Sequence, residues 1–130
     1  MALVVARGVI EALLAEAALH HPEECCGLLL GERGIEAILP VANVAADARR
    51  RFEIDPAALI AAHKAARAGG PRVAGYYHSH PAGPAEPSAA DRAEAVGDGR
   101  VWAIFGGGEA RFWRDTPGGF EPLSYLLAGG

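Results

Sequence analysis

A chain of 130 residues, 51% of them apolar, has the size and content for one core and needs no staple to fold. A net charge of -4, a pI near 5.7 and no basic stripe count against nucleic acid as a partner. Its apolar runs are far too short to span a bilayer, and the start lacks the pattern of a secretory signal, so no membrane partner is expected. The two cysteines, Cys25 and Cys26, are neighbours, and a disulfide between them would strain the backbone; a reducing, cytoplasmic setting is expected.

Taken in order as a single domain, 1–130, the chain first shows a helical pattern over residues 4–20. Ile10, Leu13, Leu14, Ala17 and Ala18 define its apolar face, and the helix stops before Pro22. Residues 25–31 are apolar between breakers, the pattern of a strand buried on both faces. A turn at Glu32-Arg33-Gly34 leads into a second strand over 35–44, where Pro40 marks a bulge or an edge. Residues 45–51 form a loop ending in Arg49-Arg50-Arg51, a run more often solvated than used for docking. Residues 51–54 read as a short third strand.

Asp55-Pro56 is a helix start, with Asp as the cap and Pro at the first helical position. That helix places Leu59, Ile60, His63 and Ala66 on one side and ends at Gly69-Gly70-Pro71. Residues 72–80 alternate as a strand, and 81–87, with three prolines, form a loop. A short third helix opens at Ser88 and ends near Gly97 or Gly99. Residues 101–105 read as a buried strand, turned by Gly106-Gly107-Gly108 into a partner over 110–113. Residues 120–127 form a last strand or short helix. The order predicts an α/β fold, a mixed sheet with helices packed on it.

The chemistry concentrates in residues 78–91. His78 and His80 are two apart, so on a strand both imidazoles share a face. Asp91 lies in the first turn of the next helix, where the proline-rich loop can bring it back to the same point. Two imidazoles and a carboxylate suit zinc and leave a fourth position open, the arrangement of catalytic sites. A base is still needed, and Glu24, at the edge of the first buried strand, is the candidate. Ser88 offers a hydroxyl for an oxyanion. A His-x-His pair alone is a weak signal, and Ser88 with Asp91 also reads as a helix capping box. The two roles are compatible, since a carboxylate has two oxygens. His20, His21 and His63 read as structural or surface residues. Cys25 and Cys26 lie in a buried run, where thiols are inert. A zinc deaminase would want a Pro-Cys-x-x-Cys pair, which is missing.

Together these segments resemble the JAMM (MPN+) metalloproteases. His78-Ser79-His80-Pro81, six intervening residues, Ser88, two residues and Asp91 match the family spacing at each defined position. The block from Pro22 to Gly31 is similar to the family's Pro-x-Glu-x-Cys-Gly-Leu-Leu-x-Gly and selects Glu24 over Glu23. The resemblance implies a curved mixed sheet flanked by helices, a fold like that of cytidine deaminases. It implies Zn2+ on His78, His80 and Asp91, Glu24 as general base and acid, and Ser88 supporting the tetrahedral intermediate. It also implies cleavage of amide or isopeptide bonds near the C-terminal Gly-Gly of ubiquitin-like proteins.

The segment between Asp91 and Val101 is too short for the second insertion of the eukaryotic deubiquitinases. The chain is therefore similar to the compact stand-alone prokaryotic members, and a small ubiquitin-like or sulfur-carrier protein is the expected partner. A homodimer through an exposed edge strand is compatible with the pattern. The alternative within the family is a non-catalytic MPN-type scaffold with structural zinc; all five residues being present counts against it. The terminal Gly129-Gly130 reads either as a frayed tail or as a mimic of a cleaved Gly-Gly product. The substrate, and whether its bond is linear or isopeptide, stay open.

Overall fold

The computed structural model describes residues 2–129. The chain opens with a strand, β1 (Leu3–Ala6), and helix α1 (Arg7–His20) begins only after it. The helix expected over 4–20 is thus shorter at its start. The β-branched Val4 and Val5 suit a strand, and they pair in parallel with β8 (Tyr125–Ala128) at the other end of the chain. Helix α1 buries Val9 and Leu13, while Leu14 and Ala18 are exposed, so its inner face is rotated from the one expected.

Strand β2 (Cys26–Leu30) is followed by β3 (Ala37–Val41), α2 (Pro56–Arg67), β4 (Val73–Ser79) and α3 (Ala89–Glu94), then by β5 (Val101–Gly106), β6 (Glu109–Thr116) and β7 (Gly119–Leu123). Six of these strands form one mixed sheet in the order β3-β2-β4-β5-β6-β7. As expected, β2 is buried on both faces: Leu28 and Leu29 point opposite ways and both are fully covered. Burial of each such side chain contributes about 1.5–3 kcal/mol. Pro40 falls on the edge strand β3, where a missing N–H is tolerated. A Cβ at Gly27 would collide with the Leu39 carbonyl and the Tyr77 ring, so glycine lets Tyr77 lie across β2. Tyr77 joins Val5, Val9, Leu13, Leu29 and Phe112 in the core cluster.

Three further differences have local causes. Residues 51–54 make only one bridge, Asn43 with Ile54, because the Asn43 side chain takes up the backbone groups a ladder would use. Helix α3 stops at Glu94 because the buried Asp115 carboxylate captures the N–H groups of Val96 and Gly97, both at 3.1 Å. Residues 120–127 form parts of two strands, β7 and β8, which belong to different sheets. Helix α2 starts as expected, with the Asp55 carboxylate accepting from the Ala57 N–H at 3.1 Å. Among the described residues no helix is long and apolar enough to cross a membrane. The reading of the terminal Gly-Gly involves Gly130, which lies outside the described residues.

Candidate active site

Strand β4 is central, antiparallel to β2 and parallel to β5, and its C-terminal end carries the site. His78 is in register with Cys26, and His80 leaves the strand with its N–H on the Phe105 carbonyl at 2.6 Å. Ser79 faces away from the histidines. Its hydroxyl accepts from the Cys25 N–H at 2.9 Å, and its own N–H donates to the Cys25 carbonyl at 3.1 Å. That double link ties the end of β4 to the start of β2 and so brings Glu24 beside the histidines. Glu24 is itself held by its backbone: its N–H donates to the Ala48 carbonyl at 2.7 Å, and its carbonyl accepts from the Asn43 amide at 3.0 Å.

The loop over 81–87 folds back over the end of β5. A Cβ at Gly106 would meet the Gly83 carbonyl oxygen at 2.5 Å, so only glycine permits this approach. The Trp113 indole N–H donates to the Ala85 carbonyl at 3.1 Å and pins the loop from the neighbouring strand. The return of the chain delivers α3 with a capping box: the Asp91 N–H donates to Ser88 Oγ at 3.1 Å, and the Ser88 N–H donates to Asp91 Oδ2 at 2.9 Å. The capping carboxylate then reaches the histidines. Asp91 Oδ1 is 3.0 Å from His78 Nε2, and Oδ2 is 3.1 Å from His80 Nε2. The two Nε2 atoms are 3.1 Å apart. Donor atoms of Glu24, His78 and His80 all lie within 4.8 Å of one another. The structure therefore brings all five sequence-selected residues, Glu24, His78, His80, Ser88 and Asp91, to one place.

The charge states follow from burial and neighbours. Burial lifts the Glu24 carboxyl to about 7; Asp91 and Asp47 push the same way and His80 opposes. Burial also keeps the His78 imidazole below its ordinary value. For His80 burial acts downward, but the bonds to Asp91 and to the Pro84 carbonyl outweigh it and raise the value. Burial acts upward on Asp91, yet hydrogen bonds from both histidines hold its carboxyl well below the usual carboxylate range.

This donor set fits a divalent metal ion. His80 Nδ1 lies 2.8 Å from the Pro84 carbonyl, so Nδ1 carries the hydrogen and a neutral ring turns its Nε2 lone pair inward. That lone pair faces a carboxylate oxygen and a second imidazole nitrogen. A carboxylate and two imidazole nitrogens converging at such separations are the ligand types a divalent metal takes, displacing any hydrogen held among them.

Residues 6–116 match the family of prokaryotic homologs of the JAB domain. The chain belongs to this Prok-JAB family. It is 41% identical over 86 residues to a protein of Haloferax volcanii named desampylase, covering 64% of this chain and 62% of that protein. It is 39% identical over 95 residues to a Thermus thermophilus protein named "Probable TtuB-protein conjugate cleaving protease", covering 73% of this chain and 64% of that one. The chain thus spans less than two thirds of the length of either curated relative. Among solved structures, a Desulfitobacterium hafniense protein superposes with a TM-score of 0.86 at 28% identity, covering 98% of this chain and 94% of its own. A JAB1/MPN domain protein from Archaeoglobus fulgidus shares the fold, with a TM-score of 0.61 at 19% identity over 95% of this chain and 96% of its own.

In this JAB-type chain several residues around the site carried no sequence signal. Arg49 and Arg50 are exposed, as expected of a solvated run, but they line a cleft of about 390 Å³ together with Glu24, His80 and Ser88. Asn43 takes two N–H groups and gives two, linking Ala45, Glu53, Glu24 and Arg51. Asp115, 1% exposed, ends α3 and lies beyond the strand that the pattern marked over 110–113. Burial raises the Cys25 thiol and pushes Cys26 up to about 12, which disfavours either as a nucleophile.

Proposed function

We propose that this chain is a zinc-dependent amide or isopeptide hydrolase acting next to the C-terminal Gly-Gly of a small ubiquitin-like or sulfur-carrier protein. The observation that carries the reading is the convergence of His78, His80 and Asp91 on one point with the Glu24 carboxyl beside them, in a chain of the Prok-JAB family. The names of the two curated relatives support the substrate class. Free, buried Cys25 and Cys26 are in keeping with the cytoplasm.

His78, His80 and Asp91 would hold the metal and leave a position open to water and substrate. Bound there, zinc supplies Lewis acidity, which acidifies water and polarises the scissile carbonyl. Glu24, with its carboxyl near neutrality, takes the proton from the attacking water and returns it to the leaving amine. Ser88 Oγ already accepts from the Asp91 N–H, so its own O–H is free to donate to the oxyanion.

The test is a ubiquitin-like carrier extended past Gly-Gly, incubated with zinc-loaded protein and followed by mass spectrometry. Release of the extension, blocked by a chelator and by Glu24→Gln, is the expected result. If several such carriers stay intact and Glu24→Gln alters nothing, the reading is wrong and the scaffold with structural zinc stands.

A further inference from the structure

Metal-ligating histidines ordinarily donate their second ring N–H to a carbonyl, a carboxylate or water, and that bond orients the ring. His80 does so through Nδ1 and the Pro84 carbonyl. His78 does not: its Nδ1 is buried and has no hydrogen-bond partner among the described residues. The face of its imidazole is instead covered by Phe52, with ring centroids 4.2 Å apart and planes inclined by 19°. Trp102 closes a second side edge-on, 5.8 Å from His78 and 6.0 Å from Phe52.

We propose that Phe52 is the positioning residue for His78 in the metal centre, its stacked ring setting the imidazole plane that a hydrogen bond sets for His80. The inference rests on the metal-site reading above. Phe52 comes from the 45–54 loop and not from the sheet, so it can hold His78 only if that loop is itself held. The loop is held at both ends of the contact. Asn43 donates to the carbonyls of Glu24 and Arg51 and accepts from the N–H groups of Ala45 and Glu53, so it grips the residues on either side of Phe52. The Ala48 carbonyl takes the Glu24 N–H at 2.7 Å. One loop therefore braces the candidate base through its backbone and a candidate ligand through its ring.

A flat ring at this distance opposes rotation of the imidazole about its bond to Cβ and excludes water from its face. An aromatic face also attracts a ring that carries positive charge, as an imidazole on a metal does. An aliphatic side chain of similar bulk fills the space without either effect. A merely space-filling Phe52 and a positioning Phe52 thus differ in what they predict for Phe52→Leu and Phe52→Tyr.

The experiment titrates zinc into the metal-free full chain against a chromogenic chelator, with cobalt absorption spectra as a second readout and the metal-free Tm as control. Phe52→Leu is expected to lose zinc affinity by about 10-fold or more, the loss that follows removal of a hydrogen-bonded partner of a ligating histidine. Its cobalt spectrum shifts, while Phe52→Tyr stays near wild type in both. Leucine binding zinc within about twofold of wild type, with an unchanged cobalt spectrum, overturns the proposal while leaving the metal site intact. A wild-type chain that takes up no zinc overturns the metal-site reading and this inference together. Should Phe52→Leu fail to fold, Asn43→Ala keeps the ring but frees the loop, and the same loss of affinity is expected of it; wild-type affinity there overturns the bracing role.

Discussion

Helix α2 runs for 12 residues, is capped by Asp55 and buries none of them fully; helix α3 runs for 6, is capped by Ser88 and carries Asp91 at 3% exposure. Both use a side-chain oxygen to satisfy a free N–H of the first turn. In α2 the device serves the helix alone, with Leu59 and Ala66 half-buried beneath it. In α3 the same device orients a carboxylate whose oxygens face His78 and His80. The longer helix has its own cap and a half-buried face against the sheet. The shorter one depends on distant groups, above all Asp115, which holds the backbone just past its end. The helix that presents Asp91 to the histidines is fixed by its surroundings more than by its own propensity.

The contrast is broken most severely at Asp91. Asn keeps an oxygen for the Ser88 N–H but loses the charge, so Asp91→Asn should leave far-UV circular dichroism unchanged while zinc titration shows binding lost. Next in size is Glu24→Gln: zinc binding persists, and cleavage falls by about 10²-fold or more, the usual worth of a general base. Ser88→Ala joins the two roles, lowering cleavage by about 10²-fold and stability by about 1 kcal/mol. Ser88→Asp separates them, since it restores the cap in thermal melts but supplies no donor, so turnover stays low.

The share of the metal-free protein's stability that comes from Glu24 should be lost as pH rises between 4.5 and about 7, its unfolded and folded values. In that window the folded state holds the extra proton, so unfolding becomes easier as pH rises. The change is on the order of 1–3 kcal/mol, and denaturant melts of Glu24→Gln should lack it. Smallest is Asp55→Ala, which removes the α2 cap for about 1 kcal/mol. Steady-state cleavage by that variant should match wild type.

The site was more legible than the scaffold. His78, His80, Ser88 and Asp91 fall within 14 residues; their spacing alone left a metal site and a helix cap both open, and the resemblance to a family motif singled them out as a candidate set. Glu24 stood out as the acid at the edge of an apolar run with the pattern of a buried strand, and only the likeness of the Pro22–Gly31 block to a family stretch selected it over Glu23. Asn43, Phe52 and Asp115 left no comparable trace. An asparagine in a loop, a phenylalanine near a helix cap and an aspartate at a strand end are each ordinary locally. Their partners, Glu24, His78 and the backbone at Val96, lie 19, 26 and 19 residues away in the chain.

By itself the sequence determined the α/β class, the buried strand β2 and the cap of α2, and with its likeness to a family motif it picked out the five residues that the fold brings together. These rest on interactions within a few residues, or on a motif whose spacing is itself the signal. Tertiary structure alone decided that Val4 and Val5 join a strand with β8, that the 45–54 loop closes over His78, and that α3 stops at Glu94. In each case the competing local preference was weak, and a hydrogen bond or a ring contact formed across the fold outweighed it.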